Sequence, residues 1–192
     1  MNLIKHRVNK SSELSRIDKE LGVELDLRYK NNEIILHHDP FFEGEKFEDF
    51  LKEFKLKFII LNIKSEGIEE EVLRLVKKYD VPDYFFLDTS IPFMVKYIEK
   101  GWSKFAVRFS EYEPIELSLK FKGKIEWVWV DCFTRFPLDK ESYVQLKKHF
   151  KICLVSPELQ GHPISMIEDF KKQMKGFDID AVCTKHPDVW II

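Results

Sequence analysis

The sequence predicts a closed (β/α)₈ barrel of the TIM type, with a β-hairpin after its second strand. Eight short apolar segments rich in β-branched and aromatic residues alternate with longer charged segments whose apolar residues repeat at helical spacing. Alternating units of this kind imply parallel strands with helices outside them. The smallest barrels of this type have about 200 residues, and this chain of 192 residues is close to that length. We therefore expect one compact domain over residues 1–192. A doubly wound open sheet is the main alternative.

The eight predicted strands are bounded by charged or turn-forming residues. They are Leu3–Val8, Val23–Arg28, Phe58–Lys64, Tyr84–Thr89, Phe105–Phe109, Trp127–Phe133, Ile152–Ser156 and Ala181–Thr184.

Six helices are predicted between the strands, the first opening on a capping-type Ser-Ser-Glu sequence. The turn Tyr29–Asn32 precedes a further extended run, Glu33–His38, which predicts the hairpin. The segment Glu113–Gly123 is either one helical turn or a loop. The predicted helices are Ser11–Leu21, Phe47–Phe54, Ile68–Tyr79, Pro92–Lys100, Lys140–Phe150 and Ser165–Met174.

Charge and hydropathy exclude several classes of protein. The net charge of −2 and the pI near 6.3 lack the basic surplus that a nucleic-acid-binding surface needs. Apolar runs such as Phe58–Leu61 fall far short of the roughly 20 residues of a membrane span. The N-terminus has no apolar signal region, and Cys132, Cys153 and Cys183 are odd in number and set in apolar segments, which favours buried thiols. We therefore expect a cytoplasmic protein with no membrane span and no nucleic-acid partner.

Polar residues end nearly every predicted strand, and the active site of a (β/α)₈ barrel lies at those strand ends. A barrel with a purely structural role would not need them. The residues are His6-Arg7, Glu24/Asp26, Asn62/Lys64, Asp88, Arg108, Asp131, Ser156/Glu158 and Thr184/Lys185.

Two carboxylates on the second strand predict a metal site. Glu24 and Asp26 are two residues apart, so their side chains point to the same face of the strand. Two inward carboxylates repel each other unless a cation lies between them, and oxygen ligands suit Mg²⁺ or Ca²⁺. Pairing with Arg28 or lysines is the alternative. Zinc is disfavoured, because no second His or Cys cluster accompanies His37-His38.

Five short motifs occur in one order along the chain: His6-Arg7, Glu24-Leu25-Asp26, His38-Asp39, Asn62-Ile63-Lys64 and Thr184–Asp188. In the identity and order of these motifs, the chain resembles the glycerophosphodiester phosphodiesterase family, a group of metal-dependent barrels related to phospholipase C-like enzymes. The resemblance runs from residue 6 to residue 188. It identifies the chain as a divergent, compact member of that family.

The resemblance implies a phosphodiester hydrolase that acts on a small-molecule phosphodiester. His6 and His38 would be its general acid and base, since imidazole has a pKa near working pH. Arg7 would bind phosphate oxygens with its planar fork, and Lys64 would add a fixed positive charge. The implied metal ligands are Glu24, Asp26 and Asn62.

The sequence departs from the family pattern at three places. Val8 replaces the glycine that follows His-Arg, and Asn62 replaces the carboxylate of the third metal ligand. Asn62 is therefore either a ligand or a buried amide that hydrogen-bonds its neighbours. The insertion after His-Asp has shrunk to about Phe41–Lys46. These departures leave open an alternative function: a barrel that binds a phosphorylated or sugar ligand without cleaving it.

Overall fold

The computed structural model describes residues 1–191. Contacts divide the chain into two compact units. The N-terminal unit comprises Lys5–Lys100, and the C-terminal unit comprises Met1–Ile4 together with Gly101–Ile192. The single domain over residues 1–192 stays a prediction, and its last residue, Ile192, lies outside the described residues.

The N-terminal unit contains five strands in the order β4-β3-β2-β5-β6. Strands β2, β5 and β6 are parallel, whereas β3 and β4 extend the sheet as antiparallel neighbours of β2. The elements are β2 Gly22–Lys30, β3 Glu33–Leu36, β4 Glu45–Lys46, β5 Ile59–Ile63, β6 Tyr84–Leu87, α1 Ser11–Leu14, α2 Phe47–Glu53, α3 Glu69–Lys78 and α4 Ile91–Glu99.

The C-terminal unit repeats the parallel βα pattern. Its strands follow the order β1-β10-β9-β8-β7, and β7 to β10 are parallel. The elements are β1 Asn2–Lys5, of which Lys5 belongs to the other unit, β7 Ala106–Phe109, β8 Trp127–Val130, β9 Lys151–Val155, β10 Ala181–Thr184, α5 Ile115–Leu119, α6 Lys140–Lys147, a 3₁₀ helix Pro157–Gln160, α7 Met166–Gln173 and α8 Pro187–Trp190.

The structure confirms a mixed α/β fold with a strand at each of the eight predicted positions and the hairpin after the second. In β2, Val23, Leu25 and Leu27 are fully buried on one face. The alternate residues of this strand lie on the other face, which is where the candidate site begins.

The first predicted helix is wrong in length and in its cap. It ends at Leu14 rather than Leu21, and its N-cap is Lys10, whose side chain makes no capping bond. The N–H of Ser11 donates instead to Oε2 of Glu45, 2.9 Å away. Further on, the Asp18 carboxylate accepts the N–H of Glu20 at 2.9 Å. Local side-chain bonds of this kind compete with helix continuation.

The segment Glu113–Gly123 contains one short helix, α5, with Pro114 as its N-cap. The sequence analysis missed three elements, β4, the 3₁₀ helix and α8, of two or four residues each. Such segments are too short to show a periodicity. Within residues 1–191, no helix has the length and hydropathy of a membrane span.

Candidate active site

The candidate site begins with two buried acids on β2 and one amide on β5. Glu24 is 1% exposed and Asp26 is 0% exposed. The register of β2 and β5 places Asp26 opposite Asn62. Nδ2 of Asn62 lies 2.9 Å from Oε1 of Glu24 and 3.3 Å from Oδ1 of Asp26. One amide group therefore bridges both carboxylates.

The two carboxylates repel each other in this arrangement. Burial, together with the charge of Asp26, raises the pKa of Glu24 to about 7, although hydrogen bonds from Asn62 and from the Arg7 N–H act in the opposite direction. A buried like-charge pair with a strongly perturbed pKa is typical of functional sites.

The remaining carboxylate oxygens bond to residues that follow β1. Oε2 of Glu24 accepts the N–H of Arg7 at 2.8 Å and lies 3.7 Å from Nε2 of His6. Asn9 makes a reciprocal pair with Asp26: its Nδ2 donates to Oδ2, and its Oδ1 accepts the Asp26 N–H, both at 2.9 Å. The sequence analysis missed Asn9, which belongs to none of the five motifs.

Arg7 has a left-handed backbone conformation, which is uncommon for a residue other than glycine. Its φ is +54°, a strained conformation of the kind that clusters at active sites. Val8 needs no such conformation; it is buried, and its N–H donates to the carbonyl oxygen of Glu24 at 2.8 Å. The guanidinium Nε of Arg7 lies 4.0 Å from Oδ2 of Asp26.

Lys64 adds a second cation beside the acids. Its Nζ lies 3.1 Å from Oδ2 of Asp88 and 3.8 Å from Oδ1 of Asp26. Asp88 follows β6 and also has a left-handed backbone, with φ +59°. Arg28 joins this region to the hairpin, because it donates to the carbonyl oxygens of both Lys64 and His38.

His38 lies beyond the hairpin and pairs with the next residue. Its Nδ1 is 2.8 Å from Oδ1 of Asp39. This hydrogen bond, with a smaller contribution from the charge of Arg7, lowers the pKa of Asp39. Six of the seven predicted site residues share direct contacts, and His38 is connected to them through Arg28.

Glu24, Asp26 and Asn62 are the candidate ligands for a divalent cation. Within residues 1–191, no three His, Cys, Asp or Glu side chains form a metal-binding group, and Asn62 is the neutral side chain beside both acids that could offer a further oxygen. Its Oδ1 is buried without a hydrogen-bond partner. The two ends of an amide are assigned from its hydrogen bonds. Exchanging them would place Oδ1 between Glu24 and Asp26. Two carboxylates and an amide oxygen suit Mg²⁺ or Ca²⁺.

Three other acids that end predicted strands, Asp88, Asp131 and Glu158, could replace the carboxylate missing at Asn62, but each has a partner of its own. Asp88 pairs with Lys64. Asp131 and Glu158 belong to the C-terminal unit, where Asp131 accepts from Arg108 and Glu158 accepts from Thr184.

Three comparisons with known proteins bear on the fold. Neither a scan of family models nor a search of curated proteins found a match. A solved structure from Agrobacterium tumefaciens strain C58, provisionally named a glycerophosphoryl diester phosphodiesterase, is similar to this chain with a TM-score of 0.70 at 13% identity. The match covers 98% of this chain and 95% of that chain. At this identity the likeness shows the fold alone.

Proposed function

We propose that the protein is a phosphodiester hydrolase, a divergent and compact member of the glycerophosphodiester phosphodiesterase family with a closed (β/α)₈ barrel. The observation that carries this proposal is the pair of buried acids, Glu24 and Asp26, bordered by Arg7, Lys64 and His6. Two buried neighbouring acids with two cationic side chains beside them suit a phosphate and a metal ion better than they suit a packed core.

His38 would act as the general base. If its Nδ1–H donates to Asp39, the imidazole is fixed as the tautomer whose Nε2 accepts a proton. As the oxygen of the attacking hydroxyl bonds to phosphorus, Nε2 of His38 takes the proton of that hydroxyl. The bond from phosphorus to the leaving oxygen breaks, and His6 donates a proton to that oxygen. The attacking hydroxyl belongs either to the substrate itself, giving a cyclic phosphate, or to water.

Arg7 and Lys64 would bind the non-bridging phosphate oxygens. The guanidinium of Arg7 offers two parallel donors, and its side chain is 43% exposed, which leaves it accessible to a ligand. Lys64 is less exposed, at 18%, and is held by Asp88, so its charge stays close to the acids. Both cations would stabilise the negative charge that grows on the phosphate during the displacement.

Glu24, Asp26 and the Oδ1 of Asn62 would hold Mg²⁺ or Ca²⁺. A cation bound there would neutralise charge that develops on phosphate oxygens. Binding of a cation would also remove the repulsion that raises the pKa of Glu24.

The test is a screen of small phosphodiesters in which the released alcohol is measured. We expect the wild type to release product and the His6→Ala/His38→Ala variant to be slower by roughly 10²–10⁴-fold, the usual contribution of acid–base groups. His149→Ala, a change on the C-terminal unit at a residue outside the site, is the matched control and should retain full activity. If the double variant matches the wild type, these histidines have no catalytic role.

One observation favours a second function, that of a barrel that binds a phosphorylated or sugar ligand without cleaving it. The amide of Asn62 is oriented so that its Nδ2 donates to both acids. This amide nitrogen therefore occupies the position between the acids that a cation would take. Calorimetric titration of Mg²⁺ or Ca²⁺ separates the two functions. The hydrolase requires binding heat in the wild type, whereas the non-cleaving binder predicts none and no product in the screen.

A further inference from the structure

The loop that follows the His38-Asp39 pair displays two phenylalanine rings to solvent. Phe41 is 94% exposed and Phe42 is 59% exposed. Phe41 also has a left-handed backbone with φ +71°, which is unfavourable for a bulky side chain. A ring so exposed buries almost no apolar area within the unit, so packing of the fold gives no reason for its position.

Several contacts hold this aromatic loop, Pro40–Gly44, in place. Nζ of Lys30 donates to the carbonyl oxygens of Phe41 and Phe42 at 3.2 and 3.3 Å. The ring of Phe42 stacks on His37, with centroids 5.0 Å apart and planes 13° from parallel. At the end of the loop, a Cβ on Gly44 would lie 2.3 Å from the Leu36 carbonyl oxygen, so only glycine allows this close return to the sheet.

The aromatic loop is close to the proposed chemistry. Phe41 is three residues after His38, and three extended residues span at most about 11 Å. Arg28 donates to the carbonyl oxygens of both His38 and Lys64, which places His38 near one of the proposed phosphate-binding cations. The surface therefore changes over a short distance from cationic groups that suit a phosphate to rings that suit a hydrocarbon.

We propose that the aromatic loop binds a hydrocarbon chain of the substrate, and that the substrate is a phosphodiester carrying an acyl or alkyl chain rather than a small polar glycerol or sugar ester. This inference rests on the proposed hydrolase function. The rings lie where an amphiphilic phosphodiester needs apolar contact once its phosphate is near His38. Because the loop is already fixed by Lys30 and Gly44, little conformational freedom would be lost on binding.

The test compares two phosphodiesters with the same head group, one with a medium-length acyl chain and one with that chain removed, both present as monomers. We expect kcat/KM of the wild type to favour the chain-bearing compound. In Phe41→Ser/Phe42→Ser this preference should fall by about 10- to 100-fold for the loss of ring contacts. Tyr112→Ser removes another highly exposed aromatic residue, at 72%, from the C-terminal unit, and it should keep the preference. An unchanged preference in the double phenylalanine variant would overturn the proposal.

Binding of the same two compounds is also measured calorimetrically in His6→Ala/His38→Ala, with and without the phenylalanine changes. If the wild type cleaves neither compound but chain-dependent binding requires the rings, the hydrolase proposal fails and the loop retains its role. If the wild type cleaves both and the rings have no effect, the loop proposal alone fails. If the rings are needed only for sedimentation with phosphatidylcholine vesicles, they bind a bilayer surface and the proposal of a substrate subsite is overturned.

Discussion

Both units carry buried acids on or just beyond their parallel strands, but the two units neutralise them differently. In the C-terminal unit, Glu158 accepts the hydroxyl of Thr184 at 2.6 Å, the N–H of Lys185 at 2.9 Å and the hydroxyl of Ser156. Nε1 of Trp190 donates in turn to the Ser156 oxygen at 2.8 Å. This acid has a full set of donors, which is the usual condition for a buried carboxylate with a structural role.

In the N-terminal unit, Glu24 and Asp26 share one amide, and the pKa of Glu24 rises to about 7 because of burial and the neighbouring charge. The two arrangements teach that burial of an acid does not by itself identify a site. A single acid surrounded by donors stabilises the fold. Two neighbouring acids retain a repulsion that a metal ion can relieve, although Arg7 and Asn9 also donate to them.

The largest effect on stability is expected at Glu158, whose carboxylate accepts hydrogen bonds from three groups. Glu158→Ala would leave two buried hydroxyls and one N–H without their acceptor, at about 1–3 kcal/mol for each such group. We expect the free energy of unfolding to fall by roughly 3 kcal/mol or more, measured by urea denaturation. Glu158→Gln keeps one acceptor and should lose less. Equal stability of Glu158→Ala and the wild type would contradict a structural role for this acid.

Asp26→Asn should act on function instead. Removal of one of two repelling charges relieves strain in the fold, so we expect stability to be retained, while metal affinity falls by at least about 100-fold, since even residues behind metal ligands contribute 10–100-fold. Calorimetric titration measures the metal affinity, and the phosphodiester assay measures the activity. Asp131→Asn, in the C-terminal unit, is the control and should keep the wild-type metal heat. Equal heats from Asp26→Asn and the wild type would remove Asp26 from the site.

The sequence was sufficient to predict the parts of the site that depend on local periodicity and strand order. The alternation along β2 places Glu24 and Asp26 on one face. Asn62 was indicated only by the motif resemblance, and the register of β2 and β5 puts it opposite Asp26. Side-chain pairing between distant segments was not predictable, since it depends on register and loop path. The Asn9–Asp26 and Lys64–Asp88 pairs are examples. The left-handed backbone at Arg7 also has no sequence signal, because that conformation usually belongs to glycine.

A moderate effect is expected at Asn62, the residue at which the chain departs from the family pattern. Asn62→Glu would add a third negative charge near the cation, and two unit charges about 4 Å apart attract by about 4 kcal/mol at an effective dielectric of about 20. Repulsion from Glu24 and Asp26 offsets part of this gain, so we expect metal affinity to tighten by about tenfold. Activity need not rise, because a more negative ligand set weakens the Lewis acidity of the ion. If metal affinity is the same in Asn62→Glu, Asn62→Ala and the wild type, Asn62 is not a ligand.

Two other glutamates extend the comparison to the pH dependence of stability. Glu69, in the N-terminal unit, is fully buried, and this burial raises its pKa above the ordinary value of 4.5. Glu111, in the C-terminal unit, is partly buried, which acts to raise its pKa. Hydrogen bonds outweigh this effect, chiefly those from the N–H groups of Thr134 and Arg135, and lower the pKa of Glu111 to about 2. The two carboxyls should therefore respond to pH in opposite directions.

We expect Glu69 to favour the folded state below pH 4.5, its ordinary pKa, and to lose that contribution as the pH rises through its raised value. Glu69→Gln should therefore become progressively more stable than the wild type toward neutral pH. Glu111 contributes above pH 4.5 and loses its contribution as the pH falls toward about 2. Glu111→Gln should be less stable by on the order of 1 kcal/mol at neutral pH, since Glu111 remains partly exposed to screening solvent, and should equal the wild type in strong acid. Urea denaturation of both variants and the wild type across this pH range measures the two differences. If they change with pH in the same direction, at least one of the two carboxyls does not have the environment described.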